Sequence, residues 1–215
     1  MKLSFKYLLH DIVMLTGAIP GLIWFRPKVL YESKKAKRKI KGGALLASNH
    51  AGVRDPVYLM FGVWYRRHRF VAMKELFEHS KFTEFLFRKV FLCISVDRDN
   101  FSLASFKEIV GALKGGELVT IFPEGHVNES GFGEFKSGVA LMAKKSGCPI
   151  IPIYTKRRKN VFKRLTFVIG EPIYVDELME RLNTKNLDDV TAYVLEKERE
   201  LERICMEKCG EVKPV

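Results

Sequence analysis

The sequence predicts an α/β fold, a single domain with a largely parallel central sheet flanked by helices. Two observations predict it. Short apolar runs of four to six residues alternate with helical stretches of about ten residues. The length of 215 residues and the hydrophobic content of 47% also suit one domain with an ordinary core. A hydrophobic and then basic segment comes first, so we expect residues 1–41 to form a membrane-anchoring helical segment and residues 42–215 to form the folded domain.

Six uncharged apolar runs are the candidate strands: 44–48, 70–73, 91–96, 118–122, 150–154 and 165–169. Helical patterns lie between them, at 56–65, 75–89, 102–113 and 137–145, and a charged amphipathic helix is predicted at 188–208. Asp55, followed by Pro56, is the predicted N-cap of the first of these helices. Gly115 and Gly147 are predicted helix stops.

The charge is strongly basic, since 37 Lys and Arg residues against 25 Asp and Glu residues give +12. Residues 171–215 hold 7 basic and 12 acidic side chains, so residues 1–170 carry +17. This predicts a polyanionic partner, either nucleic acid or an anionic membrane surface. The four cysteines form no C-x-x-C pair, which argues against a zinc ribbon or a disulfide scaffold.

The segment 12–25 has no charged residue, but its fourteen residues are fewer than the ~20 that span a bilayer. Three residues in it predict a kinked or broken helix: Gly17, Pro20 and Gly21. Trp24 lies near the end of this segment, Tyr31 follows it, and six Lys and Arg residues come within 34–41. Aromatic residues and then clustered cations are typical of an interfacial anchor, so we expect a helix that dips into one leaflet. A buried core helix is the alternative.

A histidine and an aspartate follow the first predicted strand, at the sheet edge where ligands of open α/β folds gather. Asp55 comes five residues after His50, and the turn between them can fold back so that Asp55 accepts a hydrogen bond from one imidazole nitrogen. The other nitrogen could then take a proton from a hydroxyl. The alternative is structural, with Asp55 capping a helix and His50 closing a turn.

Charged residues also follow later strands. Arg98 comes after the third strand between two carboxylates, either in a surface salt bridge or as a receiver of an anion. Glu124 and Gly125 follow the fourth strand, and the glycine allows a tight turn beside the carboxylate. Lys136 lies in a glycine-punctuated loop that leads into a helix, where a phosphate could be cradled.

In their order along the chain these segments resemble the motifs of the glycerolipid acyltransferase family, in particular the bacterial 1-acylglycerol-3-phosphate (lysophosphatidate) acyltransferases. The motifs are N-H-x-x-x-x-D at 49–55, V-D-R at 96–98, F-P-E-G at 122–125, F-K-x-G at 135–138 and I-I-P-I at 150–153. The resemblance implies an acyltransferase domain at 42–215. It also implies transfer of a fatty acyl group from acyl-CoA or acyl carrier protein to the free hydroxyl of a lysophospholipid, without a cofactor or metal.

The resemblance implies a role for each motif residue. His50 would be the general base and Asp55 its orienter. The acceptor that the resemblance implies is 1-acylglycerol-3-phosphate, and Arg98 would bind its phosphate. Glu124 and Gly125 would shape the acceptor site.

The sequence departs from the family pattern in one motif. The family's third block usually continues as F-P-E-G-T-R, whereas this chain has His126 and Val127 after Gly125. Valine carries no charge, so that part of the phosphate site is missing. Lys136 or Arg54 could supply the charge, or the acceptor could be a different lysolipid.

The expected partners are therefore a lysophospholipid, an acyl donor that is either acyl-CoA or acyl carrier protein, and an anionic membrane surface, with no nucleic acid. We expect peripheral or monotopic attachment at the cytoplasmic face of the cell membrane. The alternatives are a related hydrolase and a non-catalytic basic module that binds membranes or nucleic acid through the basic runs 34–41, 66–69 and 156–164. No recognition helix or aromatic RNA-binding motif accompanies those runs.

Overall fold

The computed structural model describes residues 7–97, 100–128, 131–158, 160 and 163–210. Within these residues a seven-stranded sheet forms the centre of the protein. Its strands are β1 (Lys28–Tyr31), β2 (Ala44–Ser48), β3 (His68–Met73), β4 (Ile94–Val96), β5 (Leu118–Ile121), β6 (Ile150–Thr155) and β7 (Thr166–Ile169). The helices are α1 (Leu8–Phe25), α2 (Asp55–Gly62), α3 (Glu75–Glu78), α4 (Lys81–Phe85), α5 (Leu103–Lys114), α6 (Gly138–Ser146), α7 (Val175–Leu182) and α8 (Leu187–Lys208), with a π-helical turn at Leu86–Val90.

The sheet has the strand order β1-β7-β6-β2-β5-β3-β4. Neighbouring strands are parallel, except that β6 and β7 are antiparallel. The predicted largely parallel α/β sheet is therefore confirmed. Because β2 lies between β6 and β5, the carboxyl ends of these three strands meet at the middle of one sheet edge.

Each face of the sheet carries its own apolar core, as the alternation of residues along β2 requires. Leu45 and Ala47 pack with residues of α5, α6, α7 and α8, while Ala44 and Leu46 pack with α2 and part of α1. All four side chains have no exposed surface. The central strand is thereby buried on both sides, and the segment that follows it has a rigid base.

Strand β1 was not among the predicted strands. It pairs in parallel with β7, with Leu30 opposite Val168, and forms one edge of the sheet. The boundary between an anchoring segment at 1–41 and a domain at 42–215 stays a prediction. Strand β1 lies before that boundary and nevertheless belongs to the sheet.

Two predicted elements differ in detail from the structure. The predicted strand at 91–96 begins only at Ile94, because Leu92 adopts a left-handed backbone conformation with φ of 53° that interrupts an extended chain. The predicted helix at 75–89 is divided, since the hydroxyl of Ser80 accepts a hydrogen bond from the backbone N–H of Thr83 and so starts a new helix. The helix stops at Gly115 and Gly147 are confirmed.

Helix α1 is bent by 46° between Leu8–Gly17 and Ile19–Phe25, as the helix-breaking residues predict. Its side chains Leu15, Ile19 and Ile23 are each at least 65% exposed, which does not fit a buried core helix. Among the described residues no single helix is long and apolar enough to cross a bilayer, whereas the two halves of α1 together meet the length and composition of a broken span.

The two ionisable residues of α1, His10 and Asp11, lie on the side that faces the protein. The carboxylate of Asp11 forms a bidentate ion pair with Arg67, with N–O distances of 2.6 and 2.7 Å. Nδ1 of His10 lies 2.6 Å from the carbonyl oxygen of Val90. Both side chains are buried, and Met14 and Phe25 of α1 also pack against the core. Leu15, Ile19 and Ile23 are left exposed.

Candidate active site

His50 and Asp55 meet at the carboxyl end of β2, as the sequence predicted. Nδ1 of His50 lies 3.2 Å from Oδ2 of Asp55, and the same oxygen accepts a hydrogen bond of 2.7 Å from the backbone N–H of Gly52. Asp55 is the first residue of α2, with Arg54 at the N-cap position, and so is not itself the N-cap. Its carboxylate points back toward the histidine, which is the orienting geometry.

The imidazole of His50 is held on a second side by an aromatic ring. The rings of His50 and Phe122 stack with their centroids 4.0 Å apart and an interplanar angle of 18°. The side chain of His50 keeps 16% of its surface exposed, and Nε2 has no hydrogen-bond partner in the part of the chain that the structure describes. With Nδ1–H donating to Asp55, Nε2 is the acceptor that a substrate hydroxyl could reach.

The residue before the histidine ties the turn to the neighbouring strand. Asn49 exchanges two hydrogen bonds with the backbone of Thr155 in β6, at 3.1 Å from Nδ2 to the carbonyl and 2.8 Å from the amide to Oδ1. The carbonyl of His50 accepts a further hydrogen bond of 2.8 Å from the amide of Asn128. These bonds fix the main chain on either side of the imidazole, so its position does not depend on Asp55 alone.

Glu124 is a buried carboxylate beneath this turn, only 2% exposed. Its Oε1 accepts a hydrogen bond of 3.2 Å from the backbone N–H of His50, and its Oε2 accepts one of 2.8 Å from the N–H of Gly133. Glu124 therefore joins the turn of His50, which lies 74 residues earlier in the sequence, to the loop of Gly133 nine residues later. The amide of Gly133 is occupied by this bond, so it does not contribute to the predicted phosphate cradle of its loop.

Gly125 and Lys136 lie against each other. Gly125 has φ of +73°, a conformation that favours glycine, and a Cβ built on it would lie 3.4 Å from Cε of Lys136. The amide of Gly125 donates to the carbonyl of Phe122 at 3.0 Å, so it closes the turn. The exposed Lys136 thus lies over the F-P-E-G turn and brings a cation to the site.

The predicted site residue Arg98 lies outside the described residues. Its neighbour Asp97 accepts a hydrogen bond of 2.5 Å from Nζ of Lys74, at the carboxyl end of β3. This ion pair raises the pKa of the Lys74 ammonium. At the position of the usual family arginine, Val127 is half-buried, and the exposed His126 before it contacts the carbonyl of Glu124 through Nδ1 at 2.9 Å.

Sequence reasoning missed two supports of the site. In the sequence, Phe122 and Asn49 are only the first residues of the motifs at 122–125 and 49–55. In the structure, Phe122 stacks on the imidazole of His50 and Asn49 anchors the main chain beside it. Local patterns carry no signal for either contact, because both partners are distant in sequence. The described residues contain no group of His, Cys, Asp and Glu side chains with the arrangement of a metal site.

Comparison with known proteins adds to this geometry. The profile of the family described as "Acyltransferase" matches residues 28–156, which is more than half of the chain. A 1-acyl-sn-glycerol-3-phosphate acyltransferase of Bacillus subtilis is 29% identical over 165 residues, covering 74% of this chain and 81% of that protein. An enzyme of the same name from Streptococcus pneumoniae is 26% identical over 195 residues, covering 88% of this chain and 69% of its own.

A solved structure has the same fold. The crystal structure of the 1-acyl-sn-glycerophosphate (LPA) acyltransferase from Thermotoga maritima superposes with a TM-score of 0.64 at 20% sequence identity. The match covers 90% of this chain and 78% of the other. At this identity the likeness concerns the fold, and it includes the α/β sheet and its flanking helices.

Proposed function

The chain belongs to the acyltransferase family and is an acyltransferase, and on that premise we propose that its acceptor is 1-acylglycerol-3-phosphate, acylated to phosphatidate. The relatives from Bacillus subtilis and Streptococcus pneumoniae bear the name of that activity, which supports the proposal. The donor is the thioester of acyl-CoA or of acyl carrier protein. No cofactor is proposed, because a thioester is already activated for acyl transfer.

One observation carries the mechanism, the contact between His50 and Asp55. Nδ1 of His50 at 3.2 Å from Oδ2 of Asp55 sets the tautomer in which Nε2 is unprotonated. The stacking on Phe122 at 4.0 Å restricts rotation of the ring. A base in a defined orientation and tautomer, reachable from solvent, is what general-base catalysis on a hydroxyl requires.

The reaction then proceeds by direct attack. Nε2 of His50 takes the proton of the acceptor hydroxyl while its oxygen bonds to the thioester carbonyl carbon. The tetrahedral oxyanion collapses, the carbon–sulfur bond breaks, and the imidazolium returns the proton to the leaving thiolate. Asp55 stabilises the imidazolium between these steps. No covalent acyl-enzyme forms.

Because Val127 carries no charge, the phosphate of the acceptor is bound by cations elsewhere in the site. Lys136 is the described candidate, because its side chain lies over Gly125 beside the catalytic turn and is exposed. We also assign Arg98 to this role from its position in the V-D-R motif. A charge-assisted contact to a phosphate is stronger than a neutral hydrogen bond, so each cation contributes to acceptor selectivity.

The protein is proposed to work at the cytoplasmic face of the cell membrane, attached without crossing it. The exposed apolar side chains of α1 support this placement: Leu15, Ile19, Ile23 and Trp24. The six cations of 34–41 follow at the surface and suit an anionic leaflet, at ~1 kcal/mol for each cation near it. Since the acceptor is a lipid with one acyl chain, an enzyme at the interface meets it without extracting it into water.

The test is a substrate panel. The purified full chain is incubated with acyl-CoA and with acyl carrier protein thioesters, against lysophosphatidate, other lysophospholipids and monoacylglycerol, and products are identified by mass spectrometry. We expect phosphatidate from lysophosphatidate as the fastest product. Faster acylation of another lysolipid would reject the acceptor, and release of fatty acid without any acylated product would indicate a hydrolase.

A further inference from the structure

The loop between β6 and β7 concentrates positive charge beside the candidate site. Residues 156–164 include six Lys and Arg residues and no Asp or Glu residue. The loop starts directly after Thr155, whose backbone exchanges hydrogen bonds of 2.8 and 3.1 Å with the side chain of Asn49, the neighbour of His50. The loop therefore leaves the sheet at the same edge as His50, which we call the site edge. The proposed mechanism does not use its cations.

The same loop packs against the carboxyl end of α1. The backbone N–H of Leu165 donates to the carbonyl oxygen of Phe25 at 3.1 Å, and Nε of Arg164 donates to the carbonyl oxygen of Arg26 at 2.8 Å. Cζ of Arg158 lies 5.4 Å from the centroid of the Phe25 ring, within the range of a cation–π contact. These contacts bring the charges of the loop next to the end of the helix.

Charged and apolar side chains adjoin at this junction. Among its described residues, four cations are exposed and form the basic surface: Arg26, Arg157, Lys163 and Arg164. Two apolar side chains of α1 come shortly before Arg26 and are also exposed, Ile23 at 71% and Trp24 at 60%. Apolar and aromatic side chains beside cations match an anionic leaflet, since its interface takes up the former and its headgroups attract the latter.

The backbone of Arg26 is strained. This residue ends α1 with φ of 45°, in the left-handed region where glycine is favoured because it has no Cβ. Its side chain is exposed and so does not fill the core in compensation. A strained residue at the rim of a site, with its side chain directed to the surface, indicates a function for that side chain.

The basic run at 34–41 lies at the other edge of the sheet. Strand β7 is antiparallel to β6, and β1 is parallel to β7, so β1 begins at the site edge and ends at the opposite edge. The run comes after the end of β1 and before the start of β2. Arg66 holds the segment there, because its guanidinium donates to the carbonyls of Gly42 and of Gly116, which precedes β5. The site edge therefore has its own cations in the basic surface.

We propose that the basic surface binds the anionic headgroups of the leaflet that α1 enters, and so holds the site edge against the membrane. The proposal rests on the proposed attachment through α1 and adds a second contact with a different chemistry. The acceptor is a lipid of the same leaflet, so a site edge held at the headgroups meets its hydroxyl and phosphate directly. A lipid surface is favoured over an acidic protein, because Ile23 and Trp24 offer an apolar contact beside the charges.

Binding of the purified full chain to vesicles tests the proposal without an assay of activity. The vesicles contain phosphatidylcholine alone or phosphatidylcholine mixed with phosphatidylglycerol. Each cation near an anionic leaflet contributes about fivefold in affinity, so Lys163→Gln/Arg164→Gln should bind the mixed vesicles roughly 25-fold more weakly than the native chain. Its binding to phosphatidylcholine alone should be unchanged, because α1 is intact.

Two matched variants separate charge at this place from packing and from net charge. The exchange Lys163→Arg/Arg164→Lys keeps both charges and should bind like the native chain. Lys114→Gln/Lys145→Gln removes two exposed cations from α5 and α6, on the face of the sheet opposite α1, and should also bind like the native chain. A loss in either control equal to that of Lys163→Gln/Arg164→Gln would overturn the proposal. Native affinity of Lys163→Gln/Arg164→Gln would overturn it too and leave attachment through α1 intact.

Arg26→Gly separates the surface function from folding. Glycine relieves the strain of the left-handed backbone, so we expect a Tm at least as high as that of the native chain. Affinity for the mixed vesicles should nevertheless fall about fivefold. A folded Arg26→Gly chain with native affinity would overturn the assignment of this strained residue to headgroup binding.

The consequence for catalysis is tested with lysophosphatidate in the mixed vesicles and in neutral detergent micelles. We expect Lys163→Gln/Arg164→Gln to raise the apparent KM for lysophosphatidate in vesicles and to keep the native kcat/KM in micelles. A raised KM for acyl-CoA or for the acyl carrier protein thioester in both media, with unchanged vesicle binding, would show that the basic surface binds the acyl donor. That result would overturn the headgroup assignment, whereas the role of His50 is judged separately by His50→Ala.

Discussion

The backbone N–H of His50 donates to Oε1 of Glu124 at 3.2 Å, a hydrogen bond between two motifs that are 74 residues apart. Through this bond the turn that follows β5 supports the turn that follows β2. Because β2 and β5 are adjacent and parallel, their carboxyl ends meet, and each turn needs the other for its geometry. The candidate site is therefore one unit in which His50, Asp55 and the buried carboxylate of Glu124 depend on each other.

Replacement of His50 by alanine should abolish acyl transfer. A general base contributes ~10²–10⁴-fold to the rate, so we expect kcat to fall by ~10²-fold or more. The fold should persist, because Asn49 and Glu124 bond to the main chain or side chain around residue 50 and not to the imidazole. Steady-state kinetics with circular dichroism and Tm check this. His79→Ala, an exposed histidine outside the site, is the control. Retention of more than about a tenth of the native rate would exclude a base role.

Replacement of Glu124 should damage both stability and activity. Glu124→Ala leaves two part-buried N–H groups without an acceptor, each at a cost of up to about 1–3 kcal/mol in the free energy of unfolding. Glu124→Gln keeps an oxygen for one of them, so we expect a smaller loss of stability and a clear loss of kcat. Urea unfolding and kinetics measure the two effects.

The control for Glu124 is Glu117→Gln. Glu117 pairs with Arg69 at the opposite edge of the sheet, at 3.2 Å. The variant Glu117→Gln should be less stable than the native chain, and its kcat should be unchanged. Equal effects of the two Gln variants on kcat would mean that Glu124 stabilises the fold only and has no particular relation to the catalytic turn.

Loss of a phosphate-binding cation should act selectively on the phosphorylated acceptor. Charge-assisted contacts contribute about 1.5–3 kcal/mol, so Lys136→Ala and Arg98→Ala should each lower kcat/KM for lysophosphatidate by roughly ten- to a hundredfold. The rate with uncharged monoacylglycerol and the dependence on acyl donor should change much less. An equal loss on both acceptors would assign these residues a structural role.

Membrane attachment should depend on the exposed side of α1. Deleting residues 1–31 is a poor test, since it removes β1 from the sheet. The triple change of Leu15, Ile19 and Ile23 to serine keeps the polar contacts of the helix, and we expect most of the protein to leave the membrane fraction. Sedimentation with anionic and with neutral vesicles measures it. Leu103→Ser, which changes a 65% exposed leucine on α5, should sediment like the native chain. Full sedimentation of the triple variant at high salt would refute attachment through this surface.

His68 should make the protein less stable in acid. It is buried between the hydroxyl of Thr120 at 3.0 Å and the carbonyl of Val63 at 3.3 Å, and burial lowers its pKa from 6.5 to about 4. The unfolded chain therefore takes up a proton first as the pH falls, so stability is full above 6.5 and declines toward pH 4. The decline amounts to about 3 kcal/mol, at ~1.4 kcal/mol for each pH unit.

The variant His68→Gln checks this by urea unfolding between pH 7 and pH 4. We expect it to be less stable than the native chain at pH 7 and to lose less stability on acidification. His79→Gln, at an exposed position, should follow the native chain. Parallel declines of the native chain and His68→Gln would show that other groups cause the acid sensitivity.

Local patterns predicted much of the fold and the site. The apolar runs at 44–48 and 150–154 became central strands because a strand buried on both faces leaves an uncharged stretch in the sequence. His50 and Asp55 could be paired from sequence because five residues across a strand–helix turn restrict where the two side chains can lie. In contrast, β1 is a four-residue edge strand whose pairing with β7 depends on residues far along the chain.

The amino-acid sequence by itself determined the parallel α/β architecture, the position of His50 at a strand end and the family of the enzyme, because each depends on short segments with definite spacing. Only the tertiary structure decided what surrounds His50. Phe122 stacks on the imidazole, Asn49 bonds to β6, and Glu124 accepts a hydrogen bond from the backbone N–H of His50. The physical reason is that such contacts are made when the sheet closes, and packing across many intervening residues leaves no local pattern in the sequence.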